Sequence, residues 1–231
     1  MEYLEIIEIQ RQNMVRNQIR AVGVENSNVM NAMLKIPRHE FVMEKYRGVA
    51  YSDAELPVNE SGRLIARPEM LAQFLEAANI MREDIVLEIG CTTGYASAVI
   101  AQIAQQVIAV DYDKKLLTVA KNMSKKLNIL NVEFQYSQLN NLNVPDSVSL
   151  ILINGAIFTQ DAIDTSHVQD KSDLFSQSSN IVPLILSQIS KKTRILCVEG
   201  YYKYSPMNIV EYSNDSRKVL QQIYFPELST L

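Results

Sequence analysis

The sequence predicts an α/β protein with a mostly parallel β-sheet, an antiparallel C-terminal hairpin and an N-terminal helical extension. After Ile80, short β-rich runs alternate with helical runs, which is the pattern of a parallel sheet. Near the C-terminus two β-rich runs are separated by the turn sequence SNDS, residues 213–216, which predicts antiparallel pairing. Residues 2–22 have apolar positions at helical spacing.

Glycine and proline residues mark the predicted helix boundaries in the N-terminal part of the chain. A helix over 2–22 should stop at Gly23, and a second should start near Asn26 or Ser27. The second helix must end before Pro37, because the residue before a proline avoids helical geometry. Beyond it we expect an ordered loop over 51–67 and a helix from Pro68 to about Ala78, with proline at the first helical position.

The remaining elements follow from alternation between β-rich and helical runs. We predict strands at 85–89, 107–110, 132–136, 150–153, 194–198, 207–212 and 218–225, with helices at 96–104 and 114–127. The polar stretch of about 159–180 exceeds the usual connection of about 2 to 6 residues and is predicted to be an insertion or a lid. The predicted organisation is a helical cap over 1–60 and a sheet domain over 61–231, forming one structural unit.

Composition excludes several classes of function. With 22 Lys and Arg against 26 Asp and Glu, the net charge of −4 disfavours a nucleic-acid partner. No apolar run approaches the roughly 20 residues of a membrane span. Two cysteines and two histidines form no disulfide framework and no metal-ligand cluster. The N-terminus lacks the pattern of a signal peptide, so we expect a cytoplasmic protein without a membrane partner.

The stretch VLEIGCTTGY, residues 86–95, predicts a cofactor turn between a buried strand and a helix N-terminus. Gly90 suits a tight turn at positive φ, and Gly94 permits close approach of a ligand or a helix. Thr92 stands between them, and we expect it to keep a negative φ with its side chain turned away from the ligand. The glycine spacing does not match the dinucleotide fingerprint. Cys91 is expected to be a small buried residue rather than a reactive thiol.

Asp111 closes the next predicted strand about twenty residues after the turn, where a carboxylate accepts hydrogen bonds from ribose hydroxyls. The series of strand, turn, helix, strand and acid therefore indicates a site for a nucleoside-type cofactor. The alternative is an α/β domain in which the turn and the acid are only structural.

Several segments together resemble the protein-L-isoaspartate O-methyltransferases. They are NMVRNQIRAVGVENSNVMNAMLKIPRHEFV, AYSDAELPV, VLEIGCTTGYASAVIA, ILINGA and PLILSQISKKTRILCVEG. The resemblance implies a Rossmann-like class I fold dependent on S-adenosyl-L-methionine (AdoMet), with S-adenosyl-L-homocysteine (AdoHcy) as product. It also implies a damaged protein or peptide as substrate and a cytoplasmic monomer. The cofactor-binding positions implied are Glu88, Gly90, Cys91, Thr92, Gly94, Asp111 and Gln138.

The sequence departs from the family where the acceptor should bind. The family's Thr-Ile-Ser segment is replaced by Leu64, Ile65 and Ala66, so both hydroxyls are absent. The family's Gly-Asp-Gly is replaced by residues 137–139, in which Gln138 keeps an acceptor oxygen without the charge. Arg63 and Arg67 flank the altered pair and are candidate anion anchors, the alternative being that both are surface residues.

Methyl transfer to a carboxylate needs no general base, because the nucleophile is already ionised near neutral pH. Losing the two hydroxyls should therefore weaken the reaction without necessarily abolishing it. No residue is assigned a catalytic role. The leading expectation is an isoaspartate-type AdoMet-dependent methyltransferase with an altered acceptor loop. The alternatives are a methyltransferase with a different acceptor, a non-catalytic AdoMet or AdoHcy binder, and, less favoured, an NAD-linked reductase.

Overall fold

The structure is a computed structural model that describes residues 2–157, 181–189, 192–199, 207–213 and 216–223. The predicted insertion at 159–180 lies outside these residues, as do the centre of the SNDS turn and the end of the last predicted strand. None of the helices in the described ranges is both long and apolar enough to cross a lipid bilayer.

The N-terminal helix has three hydrogen-bonding patterns in succession. Helix α1 spans Glu2–Asn13, continues as a π-helical turn over Met14–Ile19, and ends as a 3₁₀ turn over Arg20–Val22. Gly23 stops it at φ 84°, as predicted. The wider π turn places Met14, Val15 and Ile19 in the core together, a feature that a uniform helical period does not predict.

The following helices have clear local causes. Helix α2, Ser27–Lys35, is capped by Asn26, whose side chain accepts from two backbone amides, and ends just before Pro37 as expected. Helix α3, Pro68–Ala78, has the predicted bounds. Helix α4, Tyr95–Ile100, is shorter than predicted, because beyond it the chain forms turns bonded three residues back. Helix α5, Lys114–Lys126, is capped by Asp113, and α6 spans Ile181–Leu186.

Within the described residues, nine strands form two sheets. The predicted loop over 51–67 contains a small antiparallel pair, β1 (Leu56–Pro57) and β2 (Leu64–Ile65). The main sheet has seven strands in the order β5-β4-β3-β6-β7-β8-β9. Their bounds are β3 Ile85–Ile89, β4 Gln106–Asp111, β5 Val132–Tyr136, β6 Leu150–Ile157, β7 Arg194–Glu199, β8 Met207–Ser213 and β9 Ser216–Ile223.

The first five strands of this order run parallel, whereas β8 is antiparallel to β7 and β9 is antiparallel to β8. The predicted parallel sheet with an antiparallel finish is therefore confirmed. Parallel strands place their carboxyl ends at one edge, so the segments after β3, β4 and β6 meet there.

The central strands of the sheet are buried on both faces. Val86, Val107 and Leu150 point to one face and share a core with the N-terminal helices, including Met14 and Ile19. Neighbouring strand residues, including Leu87, Ile108 and Ile151, point to the other face and pack in one cluster with Ile185 of α6. Because the N-terminal helices share a core with the sheet, they hold the candidate site from one side.

Candidate active site

The turn after β3 requires glycine at position 90. Gly90 has φ 85°, and a Cβ placed there would lie 3.0 Å from the backbone oxygen of Asn154 in β6. The amides of Gly90 and Cys91 both donate to the Val110 carbonyl, at 2.8 and 3.2 Å. The turn is thus held between the ends of β4 and β6.

Gly94 is required for packing of the turn against its neighbours. It has φ 84°, and a Cβ there would lie 3.0 Å from the Cβ of Ala120 and 3.2 Å from the Phe134 ring. The sequence predicts that Gly94 permits close approach of a ligand or a helix. The structure shows the approach of a helix, through Ala120 of α5, together with the Phe134 ring of β5.

The expectation that Thr92 keeps a negative φ is wrong. Its φ is 51°, an unusual value for a β-branched residue, and its side chain is buried. In this conformation the Thr92 amide donates to Oδ2 of Asp111 at 2.9 Å, which accounts for the left-handed geometry. Cys91 is buried as predicted, and burial raises the pKa of its thiol.

Glu88 lies beneath the turn and is completely buried. Its Oε1 accepts from Asn154 Nδ2 at 3.1 Å, and its Oε2 accepts from the Ser97 hydroxyl. Burial raises the pKa of Glu88 to about 7, against the opposing effect of these two hydrogen bonds. The partners Asn154 and Ser97 were missed at the sequence level, although Asn154 stands at a recognisable place in the ILINGA strand.

Asp111 receives four hydrogen bonds on its carboxylate, whose side chain is 0% exposed. Backbone amides hold it from one side: Thr92 donates to Oδ2 and Asp113 donates to Oδ1, both at 2.9 Å. Arg63 supplies the other two bonds, with Nη1 3.2 Å from Oδ1 and Nη2 3.0 Å from Oδ2. A carboxylate offers about four lone-pair positions, so all of them are used.

Arg63 therefore joins the acceptor loop, residues 58–67, to the end of β4. Its guanidinium carbon lies 4.9 Å from the centre of the Tyr112 ring. Asn59 supports the contact: its Oδ1 accepts from the Arg63 amide at 3.0 Å and its Nδ2 donates to Asp113 Oδ2 at 3.4 Å. Burial alone lowers the pKa of Arg63, but the hydrogen bonds and charge of Asp111 outweigh it and raise that pKa.

The rest of the acceptor loop presents little polarity at the altered positions. Leu64 is 44% exposed, whereas Ile65 is buried and Ala66 is half-buried. Arg67 lies 3.7 Å from Asp53 through Nη1 and Oδ2. Both arginines proposed as anion anchors thus face a carboxylate of the protein itself. Because Arg63 and Asp111 are 48 residues apart, no local sequence pattern predicts their pairing.

Gln138 follows β5 at the same sheet edge as Asp111, since the Ser137 amide donates to the Asp111 backbone carbonyl at 3.2 Å. It is exposed and precedes a 3₁₀ turn over Leu139–Asn141, and its backbone carbonyl accepts from the Ser137 hydroxyl at 2.9 Å. Its predicted contact with a cofactor remains a prediction.

Arg38 is a buried residue that sequence reasoning missed. It is 0% exposed, donates through Nε to the Ala50 carbonyl at 2.8 Å and lies over the Tyr95 ring at 5.1 Å. Burial lowers the pKa of Arg38. It connects the segment after α2 to the first residue of α4, and so supports the turn from below.

Within the described ranges, no three His, Cys, Asp or Glu side chains are grouped as metal ligands.

Comparisons with known proteins agree on one family. The family model for protein-L-isoaspartate(D-aspartate) O-methyltransferase matches residues 9–140, which is more than half of the chain, and a general methyltransferase-domain model matches residues 80–223. A protein-L-isoaspartate O-methyltransferase of Geobacter metallireducens is 38% identical over 130 residues, covering 56% of this chain and 60% of the relative. The chain thus spans little more than half the length of this and similar curated relatives.

Two solved structures share the fold over 95% of this chain. One is named protein-L-isoaspartate O-methyltransferase, with TM-score 0.69, 20% identity and 66% of its own length covered. The other comes from Plasmodium falciparum, bears the name of the same methyltransferase and is in complex with S-adenosyl-L-homocysteine. Its TM-score is 0.63, with 14% identity and 98% of its own length covered.

Proposed function

Because the chain belongs to the protein-L-isoaspartate O-methyltransferase family, we propose that it binds AdoMet and transfers the methyl group to a carboxylate. When bound, AdoMet supplies an activated methyl group on its sulfonium. The protein's part is to hold the cofactor, orient the acceptor and exclude water.

The observation that carries the cofactor assignment is the environment of Asp111. The amides of Thr92 and Asp113 occupy one pair of acceptor positions on the carboxylate. Two acceptor positions remain on the Asp111 carboxylate, one for each of the two hydroxyls of a ribose. In this structure Arg63 occupies both positions. The donor chemistry therefore fits a nucleoside, with Asp111 as the ribose acceptor and the turn from Gly90 to Gly94 beside it.

Within this proposal the acceptor is a carboxylate of a damaged protein or peptide. An ionised carboxylate is its own nucleophile, so the site needs positioning and desolvation rather than a base. Glu88 takes no part in proton transfer, because its carboxyl group is buried against Ser97 and Asn154. Leu64 and Ala66 offer no hydrogen bond to an acceptor, so the reaction should be slow with an isoaspartyl substrate.

The proposal also covers the location, the oligomeric state and the partners of the protein. Membership of this family supports a cytoplasmic monomer that acts on damaged proteins, and the net charge of −4 disfavours a nucleic-acid partner.

A second candidate is a protein that binds AdoMet or AdoHcy without methylating. One observation favours it: the acceptor loop lacks hydroxyls at Leu64 and Ala66.

Isothermal calorimetry with AdoHcy, AdoMet and NAD tests the cofactor first. We expect binding of AdoHcy and AdoMet and none of NAD, and binding of NAD alone would overturn the assignment. Transfer of labelled methyl from AdoMet to an isoaspartyl peptide then tests the reaction, with the same peptide carrying ordinary aspartate as control. Label on the isoaspartyl peptide alone supports the methyltransferase. Tight cofactor binding with no label on either peptide leaves a non-catalytic binder or a methyltransferase with a different acceptor.

A further inference from the structure

We propose that Arg63 is a latch on the ribose position: the Arg63–Asp111 ion pair and the bound cofactor exclude one another, and cofactor binding releases the arginine. This inference rests on the proposed function, because it takes Asp111 as the ribose acceptor. It concerns how the site is regulated, which neither the family match nor the sequence motifs address.

The hydrogen-bond positions of the Asp111 carboxylate are fully occupied in this structure. Its carboxylate already receives two backbone amides and two guanidinium nitrogens, all between 2.9 and 3.2 Å. The Thr92 amide belongs to the cofactor turn and the Asp113 amide to the N-cap of α5, so neither can leave without unfolding its own segment. Ribose hydroxyls must therefore replace the Arg63 nitrogens, since a carboxylate has about four lone-pair positions.

Arg63 is the partner of Asp111 that can move. Its side chain is 23% exposed, whereas that of Asp111 is 0% exposed, so the arginine has a path to solvent and the aspartate has none. Arg63 also lies between the short strands β1 and β2, next to Gly62 at φ 82°, where a Cβ would meet nothing within 4 Å. There is thus open space beside Gly62, next to the residue whose side chain must move.

Release of Arg63 places a positive charge beside the acceptor position. Arg63 directly precedes Leu64, the first of the two altered acceptor positions, so displacement frees a guanidinium beside the place where an acceptor binds. A freed guanidinium binds a carboxylate in a bidentate manner. An anionic acceptor that takes Arg63 leaves Asp111 open for the ribose, so acceptor and cofactor should favour each other's binding.

The test is calorimetric affinity for AdoHcy in the wild type and in Arg63→Ala. Removing the latch should tighten AdoHcy binding by roughly 5- to 20-fold, because the wild type must break charged hydrogen bonds that the variant lacks. Glu60→Gln is the matched control: it removes an exposed ion pair of the same loop, to Lys45 at 3.5 Å, and should leave the affinity unchanged.

A salt titration of the wild type gives a second measurement that does not depend on how the variant folds. Raising NaCl from about 0.05 to 0.5 M should tighten AdoHcy binding a few-fold, because salt screens the ion pair that opposes it. In Arg63→Gln, which keeps a side-chain donor without the charge, this dependence should disappear.

If the wild type binds AdoHcy and Arg63→Ala binds it equally or more weakly, the latch is wrong while the proposed function still stands. A wild type whose AdoHcy affinity is constant or falls with salt also contradicts the latch. If neither protein binds AdoHcy, the proposed function fails as well.

Discussion

The cofactor turn, residues 90–94, and the acceptor loop, residues 58–67, meet at Asp111 but are held in different ways. Within the turn every residue except Gly90 is buried, and backbone bonds tie it to Val110. In the acceptor loop only Val58 and Ile65 are buried, and Arg63 and Asn59 carry its contacts to the end of β4. The fold therefore determines the geometry of the turn, whereas the loop can change sequence at small cost in stability.

Gly90→Ala against Gly62→Ala should give the largest difference between the two regions. Both glycines have positive φ, at 85° and 82°, but only at Gly90 would a Cβ meet a backbone atom, Asn154 O at 3.0 Å. We expect Gly90→Ala to lower the free energy of unfolding by about 2 to 4 kcal/mol, and Gly62→Ala by about 1. Urea denaturation measures both. Equal losses would show that the turn is no more constrained than the loop.

Glu88 should make the stability of the turn depend on pH. Its folded-state pKa of about 7 lies above the ordinary value of 4.5, so the folded state holds a proton that the unfolded state has lost. Stability should therefore fall as the pH rises from about 4.5 to 7, by about 3 kcal/mol in total.

The matched variant for this dependence is Glu88→Gln, which keeps the shape of the protonated side chain. Subtracting its unfolding free energy from that of the wild type at each pH cancels the other titrating groups. A difference that stays constant between about pH 5 and 8 would contradict the raised pKa.

Restoring hydroxyls should change activity in the acceptor loop without changing stability. In the double variant Leu64→Thr, Ala66→Ser, each hydroxyl can donate to the acceptor carboxylate, so we expect labelled methyl transfer to an isoaspartyl peptide to rise by roughly 10- to 100-fold. Leu64 is 44% exposed, so the unfolding free energy should shift by less than about 0.5 kcal/mol. A stable variant with unchanged transfer would mean that the acceptor binds elsewhere.

Thr92→Gly should have the smallest effect in this series, and it should be favourable. Threonine at φ 51° is strained, and glycine takes the same conformation without cost. The gain should be no more than about 1 kcal/mol, because glycine also adds entropy to the unfolded chain. Thermal unfolding compares the variant with the wild type. A clear loss of stability would show that contacts of the buried Thr92 side chain outweigh the backbone strain.

Local patterns were sufficient for most of the fold. Asn26, Gly23, Pro37 and Pro68 marked helix ends correctly, since capping and proline geometry act within a few residues. Local patterns did not predict the π turn over 14–19, which serves the packing of three core side chains. Nor did they predict the left-handed Thr92, which follows from a bond to a residue 19 positions away.

The sequence by itself determined the α/β class, the antiparallel finish, the position of the turn and the identity of Asp111 as its acidic partner. These depend on periodicity, glycine positions and the order of strands, all of which are local properties of the chain. Only the tertiary structure decided what Arg63 contacts. Arginine alone fits a surface residue, an anion anchor or an ion pair equally well, and the choice depends on which carboxylate the packed loop reaches.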